Sequence, residues 1–437
     1  MNLRLRGLVR WLTPGMAVKR WILLAVASMA ILVVALLYAV GTDLVRFVYR
    51  ALPSSGASRY VIMVGVFALG GAGFALALIR LVRSVARGVS PDPRLRPSTM
   101  IYRTRVLDRG PRVVALGGGT GLSTLLRGLK EETSNITAVV TVMDDGGSSG
   151  RLRDEIDVLP PGDVRNCILA LAEDETRLSD FFQYRFVAPT ELRGHSLGNL
   201  VLAGLEQATG GFDRAVAAMS QFLNIRGCVL PATLTKTHLI ATMEDGTRIE
   251  GETELSTDPR RIQRIELAAS PVAPHDEVLQ AIASADLILL GPGSLFTSIV
   301  PNLLVDGIAQ AIEQAPAEKV LIANLMTQPG ETDAFSLTDH LGVVDGYVSL
   351  RRFDAVLVNA AEADAELVAG YRDEEAEPVR DDLDTSNAYA LKVIRADLIG
   401  TAEWEGKETI KHDSRKLARV LVRETRAFSV SRRDRAA

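Results

Sequence analysis

The strongest constraint on the fold is a glycine-rich turn between an apolar run and a helical pattern. Residues 113–116 read Val-Val-Ala-Leu, residues 117–121 read Gly-Gly-Gly-Thr-Gly, and residues 122–129 are spaced as a helix. In α/β proteins such a unit aims backbone N–H groups at a phosphate, and glycine permits the close approach. The spacing satisfies neither the dinucleotide fingerprint nor the Walker pattern. By itself the turn indicates either a phosphate site or a tight structural turn.

A second apolar run, residues 136–142, ends in Asp144, Asp145 and a stretch of glycines and serines over residues 146–150. Ligands of doubly wound sheets bind beyond the carboxyl ends of the strands, so the two turns are expected to share a crevice. A carboxylate there can accept a sugar hydroxyl, or hold a divalent metal on phosphate oxygens. A solvated polar loop is the alternative for either turn alone.

Two further polar clusters stand at predicted helix starts. Asp163 is expected at an N-cap, with Arg165 and Asn166 in the first turn, and a simple cap is the alternative for Asp163. His195 and Asn199 open the next helix four residues apart and should share one face. His195 could bind phosphate or titrate, and a buried, hydrogen-bonded histidine is an equal alternative.

Two more apolar runs, residues 286–290 and 320–325, end in turns rich in glycine and hydroxyl side chains. With them the chain resembles the family that joins 2-phospho-L-lactate transferase to the YvcK-type gluconeogenesis factor. The motifs that carry the resemblance span most of the chain after residue 112 and are GGGTGLSTLLRGLK, MDDGGSSGRLR, PPGDVRN, GHSLGN, GPGSLFTSIVPNLLV and NLMTQPGETD. The last two are more similar to the gluconeogenesis-factor branch.

The resemblance implies a Rossmann-like, doubly wound α/β sheet that binds a nucleotide diphosphate. In the transferase branch a diphosphoguanosine donor passes a phospho-acyl group to a deazaflavin, with magnesium. The YvcK-type branch binds a UDP-sugar, UDP-N-acetylglucosamine in particular, and supports cell shape and wall synthesis under gluconeogenic growth. The ligand contacts carried over by motif are Gly118, Gly119, Thr120, Gly121, Asp144, Ser148, Ser149, Gly150, Arg165, Asn166, His195, Asn199, Gly293 and Ser294.

Asp144 and Asp145 are the candidates for a catalytic role and for binding Mg²⁺, the metal cofactor that the resemblance implies. The deazaflavin platform of the transferase branch has no residue-by-residue counterpart. A UDP-sugar-binding regulator with no assigned reaction is therefore the favoured function. A magnesium-dependent transferase of the 2-phospho-L-lactate transferase type is the alternative.

The first part of the chain predicts a membrane anchor. Residues 21–40 and 60–79 are apolar runs without charge, each about the ~20 residues that span a bilayer. A buried core helix or a cleaved signal peptide is the alternative for the first run, but a second span follows at once. Basic residues are denser on the outer flanks of the pair than in the loop between them, which predicts a helical hairpin. Its two ends and the main domain would face the cytoplasm at the inner membrane.

The domain scheme follows from these features. It comprises an anchor over residues 1–88, a proline-rich linker over 89–110 and a nucleotide-sugar-binding domain over 111–437. Alternating residues over 237–254 predict a small β-hairpin inserted in that domain.

Composition and charge bear on the partners. The net charge of −4 argues against non-specific nucleic-acid binding. Two cysteines form no metal or disulfide framework. The expected partners are a nucleotide-diphosphate ligand, membrane lipid and a cell-envelope protein, and self-association into a homo-oligomer is compatible with them.

Overall fold

Strands and helices alternate along the chain, as the spacing of its apolar runs predicts. The computed structural model describes residues 29, 33, 106–187, 191–258, 260–372, 376–384, 387–404 and 407–429. The strands are β1 (Val113–Gly117), β2 (Ile136–Val140), β3 (Cys228–Pro231), β4 (Leu239–Met243), β5 (Arg248–Glu250), β6 (Ile262–Leu267), β7 (Leu287–Leu290), β8 (Glu318–Ile322), β9 (Ala355–Asn359), β10 (Lys392–Ala396), β11 (Ile399–Trp404) and β12 (Lys407–His412).

Thirteen α-helices lie among the described residues. They are α1 (Gly119–Leu129), α2 (Gly147–Ile156), α3 (Gly162–Leu171), α4 (Glu175–Phe182), α5 (Leu197–Thr209), α6 (Phe212–Phe222), α7 (Glu252–Leu255), α8 (Asp276–Ala283), α9 (Val300–Leu304), α10 (Ile308–Gln314), α11 (Leu337–Asp345), α12 (Ala365–Arg372) and α13 (Ser414–Glu424). A π-helical turn, Leu295–Ile299, precedes α9, and a short 3₁₀ turn, Leu350–Arg352, precedes β9.

Seven strands form one parallel sheet in the order β10-β9-β8-β7-β1-β2-β3. The chain moves outward from β1 to β3 and then returns to the other side of β1 with β7. The strand order therefore reverses between β1 and β7. In open α/β sheets this switch point is where ligands bind, at the carboxyl ends of the strands.

The strands are apolar on both faces because helices or the insertion cover each face. In β1, Val114 and Leu116 pack in one core, and Val113 and Ala115 pack in the other. The first core also receives the insertion and helices α8, α10 and α11, and the second receives α1, α3, α6 and α13. The parallel Rossmann-like sheet predicted from the sequence is confirmed.

The predicted hairpin is present and is larger than expected. Strands β4 and β5 pair antiparallel, and β6 pairs with the other edge of β4 to give a three-stranded sheet. This sheet and α7 lie between β3 and β7 in the sequence. They form a separate insertion, and the strand order of the main sheet is unaffected. Leu239 and Ala241 of β4 are buried in the first core, which anchors the insertion to the main sheet.

Several predicted boundaries differ from the structure. Helix α1 begins at Gly119, inside the glycine turn, instead of at residue 122, and β2 ends at Val140 instead of residue 142. Residues 147–150, expected as a loop, form the first turn of α2. Glycine and serine disfavour helix interiors but are tolerated in a first turn, where tertiary contacts decide the outcome.

The predicted membrane spans, residues 21–40 and 60–79, lie outside the described residues except for Met29 and Val33, which are helical and exposed. Within the part of the chain that is described, no single helix has both the length and the apolar character needed to cross a bilayer. One sharply bent pair, Leu295–Leu304 with Ile308–Gln314, meets those criteria only when its two helices are taken together. The described residues after residue 108 belong to one compact unit, Arg109–Asp434.

Candidate functional site

The first glycine turn joins β1 to α1 at the switch point. Gly118 is the N-cap of α1 and supplies no side-chain cap, so the first turn of the helix keeps donors for other groups. A Cβ on Gly118 would lie 2.6 Å from Asp163 Oδ2 and 2.8 Å from Thr141 Cγ2. Gly119 has a φ of +56°. Glycine is therefore required here both for space and for backbone conformation.

The second glycine turn, residues 291–294 after β7, packs directly on the first. A Cβ on Gly121 would lie 2.5 Å from Pro292 O, and Gly293 lies close to Gly118 O. Ser294 caps the following helical turn, because its Oγ accepts from Thr297 N at 3.2 Å and from Thr297 Oγ1 at 2.7 Å. The two turns thus form one continuous surface of backbone and hydroxyl groups.

Four carboxyl groups surround these turns. Asp163 accepts a hydrogen bond from the Gly119 N–H, and burial together with the charge of Asp144 raises the pKa of Asp163 to about 7. Burial also raises the pKa of Asp144, which accepts from Gly146 N at 2.8 Å. Glu252, at the start of α7, and Glu331, after β8, complete the set. We call the two turns with these four carboxyl groups the glycine crevice.

Burial raises the pKa values of Glu252 and Glu331 as well. Glu252 also feels the negative charges of Asp144, Asp163 and Glu331. Glu331 is 6% exposed and accepts a hydrogen bond from Ser294 Oγ. Like charges gathered in a low dielectric disfavour one another's ionised forms. The crevice therefore favours a proton or a cation among its carboxyl groups.

A second polar group lies beside the crevice and is built on α2, α3 and α5. Arg165 Nη1 donates to Asn199 Oδ1 at 2.6 Å and to Ser196 Oγ. Ser148 Oγ accepts from Asn199 Nδ2 at 3.0 Å, and its proton can be donated to His195 Nδ1, also at 3.0 Å. All five side chains are at least nine-tenths buried. We call these five residues the Arg165 network.

The network is nearly saturated with internal hydrogen bonds. Arg165 Nη2 donates to Asn166 Oδ1 at 2.8 Å, while Arg165 Nε is buried without a hydrogen-bond partner. Burial, and then the charge of Arg185, lowers the pKa of Arg165 to about 10. Burial, and then Arg151, lowers the pKa of His195. Both effects favour the neutral form of His195.

The predicted contact residues divide between these two groups. Gly118, Gly119, Gly121, Asp144, Gly293 and Ser294 belong to the crevice, and Ser148, Arg165, Asn166, His195 and Asn199 belong to the network or touch it. Ser149 connects the two, since its hydroxyl hydrogen-bonds Asp144. Thr120 has an exposed side chain and an O atom that accepts from Ser123 and Thr124 hydroxyls.

His195 and Asn199 meet by a different geometry from the predicted one. Helix α5 begins at Leu197 with Ser196 as its N-cap, so His195 precedes the helix. The two side chains do not share a helix face. They converge because both hydrogen-bond the same atom, Ser148 Oγ.

Asp145, a predicted catalytic and metal-binding candidate, and Gly150, a predicted ligand contact, both make contacts within the protein instead. Asp145 Oδ1 accepts from Thr253 N and Thr253 Oγ1, both at 2.9 Å, and its Oδ2 accepts from Glu252 N at 2.9 Å. The carboxylate therefore caps α7. A Cβ on Gly150 would lie 1.8 Å from Asp145 O, so this glycine serves the packing of α2.

Sequence reasoning did not single out Glu252 and Glu331, and it placed Asp163 at an N-cap, which is wrong because Pro161 holds that position. Helix α3 begins at Gly162 with Pro161 as its N-cap, so the Asp163 side chain is free to reach the glycine turn. Glu331 stands in the loop after β8, at the same edge of the sheet as the other turns. Its position after a parallel strand is the one sequence signal that could have identified it.

Mg²⁺ takes oxygen ligands, and the crevice offers carboxylates. In the described residues no three His, Cys, Asp or Glu side chains are grouped as ligands of a metal ion. Mg²⁺ is commonly held by one or two carboxylates together with substrate phosphates and water. Asp144 and Asp163, whose charges are coupled, fit that arrangement better than the predicted pair Asp144 and Asp145, because Asp145 caps α7.

Comparison with known proteins gives consistent matches. The 2-phospho-L-lactate transferase CofD family matches residues 113–399. The gluconeogenesis factor of Bacillus subtilis is 46% identical over 312 residues, which cover 71% of this chain and 97% of that protein. A Nostoc protein provisionally named a gluconeogenesis factor is 41% identical over 428 residues, covering 95% and 92%. The crystal structure of a UPF0052 family protein from Bacillus halodurans matches with a TM-score of 0.67 and 45% identity, covering 72% and 99%.

Proposed function

The chain belongs to the 2-phospho-L-lactate transferase CofD family and is similar to gluconeogenesis factors; from this premise we propose that it binds a nucleotide-diphosphate sugar such as UDP-N-acetylglucosamine. In this proposal it acts as a regulator of cell shape and wall synthesis during gluconeogenic growth. The observation that carries the proposal is the contact between the two glycine turns at the switch point. Together they offer backbone N–H groups to one diphosphate-sized anion.

The carboxyl groups of the crevice require a cation if the ligand is an anion. Asp144 and Asp163 would hold a Mg²⁺ ion that arrives with the diphosphate, and the ion would supply positive charge to the phosphate oxygens. The Gly119 N–H donates to Asp163. If the Asp163 carboxylate turned to bind the metal, this N–H would be free to donate to a phosphate oxygen. Ligand binding and metal binding are therefore expected to depend on each other.

A regulatory role needs a ligand-dependent surface. The loop that carries Glu331 and the insertion that carries Glu252 both reach the crevice. A ligand that binds more tightly to one arrangement of these segments would shift their population. A partner at the cell envelope would read that shift.

We extend the proposal to a membrane tether. The apolar runs at residues 21–40 and 60–79 have the length and composition of a helical hairpin in a bilayer. The Bacillus subtilis relative matches over 312 residues, which are 71% of this chain and 97% of that protein, so part of this chain has no counterpart in it. Membrane fractionation of the full chain beside a variant that lacks residues 1–88 tests the tether.

The alternative function is a magnesium-dependent transferase. It is favoured by Asp163, whose pKa of about 7 suits a general base that takes a proton from an attacking hydroxyl. The donor would be a nucleotide diphosphate in the crevice, and the acceptor would lie within reach of Asp163. Product formation distinguishes this function from a sensor.

Calorimetry on the full-length protein in detergent tests both functions. UDP-N-acetylglucosamine, GDP and GTP are titrated with and without Mg²⁺, and products are followed for hours. We expect micromolar, magnesium-dependent binding of the UDP-sugar and no product. Preferential guanine-nucleotide binding with turnover of a deazaflavin acceptor would establish the transferase instead.

Two matched pairs of variants locate the ligand. Asp144→Asn and Gly119→Val should abolish ligand-induced thermal stabilisation while the unliganded domain stays folded. Asp145→Asn and Gly246→Val are the controls, since Asp145 caps α7 and Gly246 has a positive φ with open space around it. If the ligand stabilised Asp144→Asn and Gly119→Val against heat as much as it stabilises the unaltered protein, the ligand would bind outside the crevice.

A further inference from the structure

A short hairpin between α4 and α5 concentrates exposed apolar side chains. Its arms, residues 184–187 and 191–197, are joined because Phe186 N donates to His195 O at 3.1 Å and Gly194 N donates to Phe186 O at 2.8 Å. Seven large apolar side chains are exposed among the described residues from 106 onward. Four of the seven fall within residues 181–192, namely Phe181 (69%), Tyr184 (52%), Val187 (78%) and Leu192 (44%). Single exposed apolar residues are ordinary, whereas a local group of them marks an interaction surface.

Three arginines accompany these apolar side chains. Arg151 Nη2 donates to Arg193 O at 2.7 Å, and Arg185 Nη1 donates to Gly194 O at 2.9 Å, so both guanidinium groups lie against the second arm. Arg193 is itself exposed on that arm. Within the described part of the chain, none of the three arginines forms an ion pair with a carboxylate. Like charges held close together repel, so this group of arginines favours the approach of an anion.

The order of residues in the hairpin is typical of segments that lie at a bilayer surface. Arg185 stands between Tyr184 and Phe186, and Arg193 follows Leu192, so cations adjoin apolar side chains along both arms. At such a surface, aromatic and aliphatic side chains enter the edge of the acyl layer while arginines remain at the headgroup phosphates. A polynucleotide would use the arginines alone, and the net charge of −4 disfavours it.

We propose that the hairpin and the end of α4 form a membrane-contact surface on the domain itself, which binds a bilayer that contains anionic lipid. We call Phe181, Tyr184, Val187, Leu192, Arg151, Arg185 and Arg193 the hairpin patch. Two apolar runs of bilayer length precede the domain in the same chain. A tether raises the local concentration of the domain beside the bilayer, so even a weak contact would be occupied.

The test uses a fragment without the two apolar runs, because these would bind vesicles by themselves. A fragment of residues 89–437 contains the whole compact unit Arg109–Asp434. The Bacillus halodurans crystal structure is matched over 99% of its length by 72% of this chain, so a relative folds without a counterpart to the remainder. Co-sedimentation with vesicles of phosphatidylcholine, alone or mixed with phosphatidylglycerol, measures the partition coefficient.

Two double variants divide the hairpin patch by chemistry, and each has a matched control. Phe181→Ser with Val187→Ser removes apolar groups, and its control is Phe222→Ser with Leu234→Ser, two exposed positions outside the hairpin. Arg185→Gln with Arg193→Gln removes charge. Its control is Arg415→Gln with Arg419→Gln, two exposed positions on α13. Circular dichroism verifies that each variant is folded.

The unaltered fragment should bind the anionic vesicles at least about tenfold more strongly than the neutral ones, and salt should weaken this binding. The apolar variant should lose more than about tenfold in partition coefficient. The arginine variant should lose about fivefold for each charge on anionic vesicles. Both controls should bind like the unaltered fragment. If a double variant does not fold, Val187→Ser and Arg193→Gln alone decide the assignment.

Three outcomes would overturn the proposal. Absence of binding to anionic vesicles by the unaltered fragment would refute a membrane contact. Undiminished binding by both hairpin variants would place the contact on another face of the domain. A monomer–dimer equilibrium in sedimentation velocity that the apolar variant abolishes, without vesicle binding, would assign the patch to a second copy of this chain. None of these outcomes bears on UDP-N-acetylglucosamine affinity, so this proposal and the proposed ligand function fail separately.

Discussion

The glycine crevice and the Arg165 network lie side by side, yet they satisfy their polar groups in opposite ways. In the network, each buried side chain finds a partner among its neighbours, and only Arg165 Nε lacks one. In the crevice, burial raises the pKa values of four carboxyl groups around turns that carry no cationic side chain of their own, and neighbouring negative charges raise those of Asp163 and Glu252 further. The network is complete as it stands, whereas the crevice is completed by a proton or a bound cation.

The difference assigns separate roles to residues that a motif match groups together. His195, Asn199 and Arg165 fix three helices relative to one another, so they shape the crevice from outside it. Asp144 and Asp163 border the space where an anion and its counterion would lie. Substitutions in the network should therefore change stability first, and substitutions in the crevice should change ligand binding and pH dependence first.

The largest expected effect is on the network. Arg165→Met removes the donor to Ser196 and Asn199 in a buried setting and should lower the free energy of unfolding by about 3–5 kcal/mol. Urea denaturation of the unliganded protein measures it. Arg177→Met, at an exposed position, is the matched control and should change little. An equally small effect for Arg165→Met would break the comparison, because the network would then not be structural.

The second effect concerns the pH dependence of the crevice. Asp163 has a pKa raised to about 7 in the folded protein, so the fold binds its proton more tightly than the unfolded chain does. Stability should fall as the pH rises from about 4 to about 7, by about 2–4 kcal/mol. Asp163→Asn should flatten this fall, and Mg²⁺ should offset it in the unaltered protein. If the free energy of unfolding changed with pH equally in the unaltered protein and in Asp163→Asn, the raised pKa of Asp163 would be contradicted.

The third effect tests the contact between the glycine turns. Gly121→Ala pushes a Cβ toward Pro292 O and should cost about 1–3 kcal/mol while weakening UDP-N-acetylglucosamine binding. Gly204→Ala, in α5 with open space around it, should instead stabilise the protein by about 0.5–1 kcal/mol. Thermal unfolding with and without ligand measures both. A Gly121→Ala variant with full affinity would show that the turns need not touch.

The smallest effect separates the two adjacent aspartates. Asp145→Ala removes the cap of α7 and should cost about 1–2 kcal/mol without altering ligand affinity. Asp144→Ala should leave stability nearly unchanged or raised and should abolish binding. Calorimetry and denaturation on the pair give both quantities. Similar behaviour of the two variants would mean that both carboxylates serve the ligand.

Much of the fold could be predicted from the sequence because it depends on local patterns. The runs at residues 113–116, 136–142, 286–290 and 320–325 became parallel strands of one sheet, each within a few residues of its expected bounds. The third strand of the insertion was missed. In β6 the apolar residues do not alternate with polar ones, and the segment is a strand because it pairs with β4. Pairing between distant segments leaves a weak trace in either segment alone.

The site was predictable in its position and less so in its chemistry. Glycines at strand ends located the crevice, because their conformation and close contacts are local requirements. The contributions of Glu252 and Glu331 depend on the insertion and the β8 loop folding back over the turns, which no local pattern specifies. Asp144 and Asp145 look equivalent in the sequence, and only the position of α7 distinguishes them.

Asp144 and Asp145 are consecutive residues with different roles: Asp144 borders the crevice, and Asp145 caps α7. Asp145 is held by three hydrogen bonds to the insertion, more than a hundred positions along the chain. The planar peptide fixes the distance from its Cα to that of Asp144 at about 3.8 Å. A shift of the Asp144 backbone toward an incoming charge would therefore strain the hydrogen bonds that hold Asp145 to α7, which ties the position of the crevice backbone to that of the insertion.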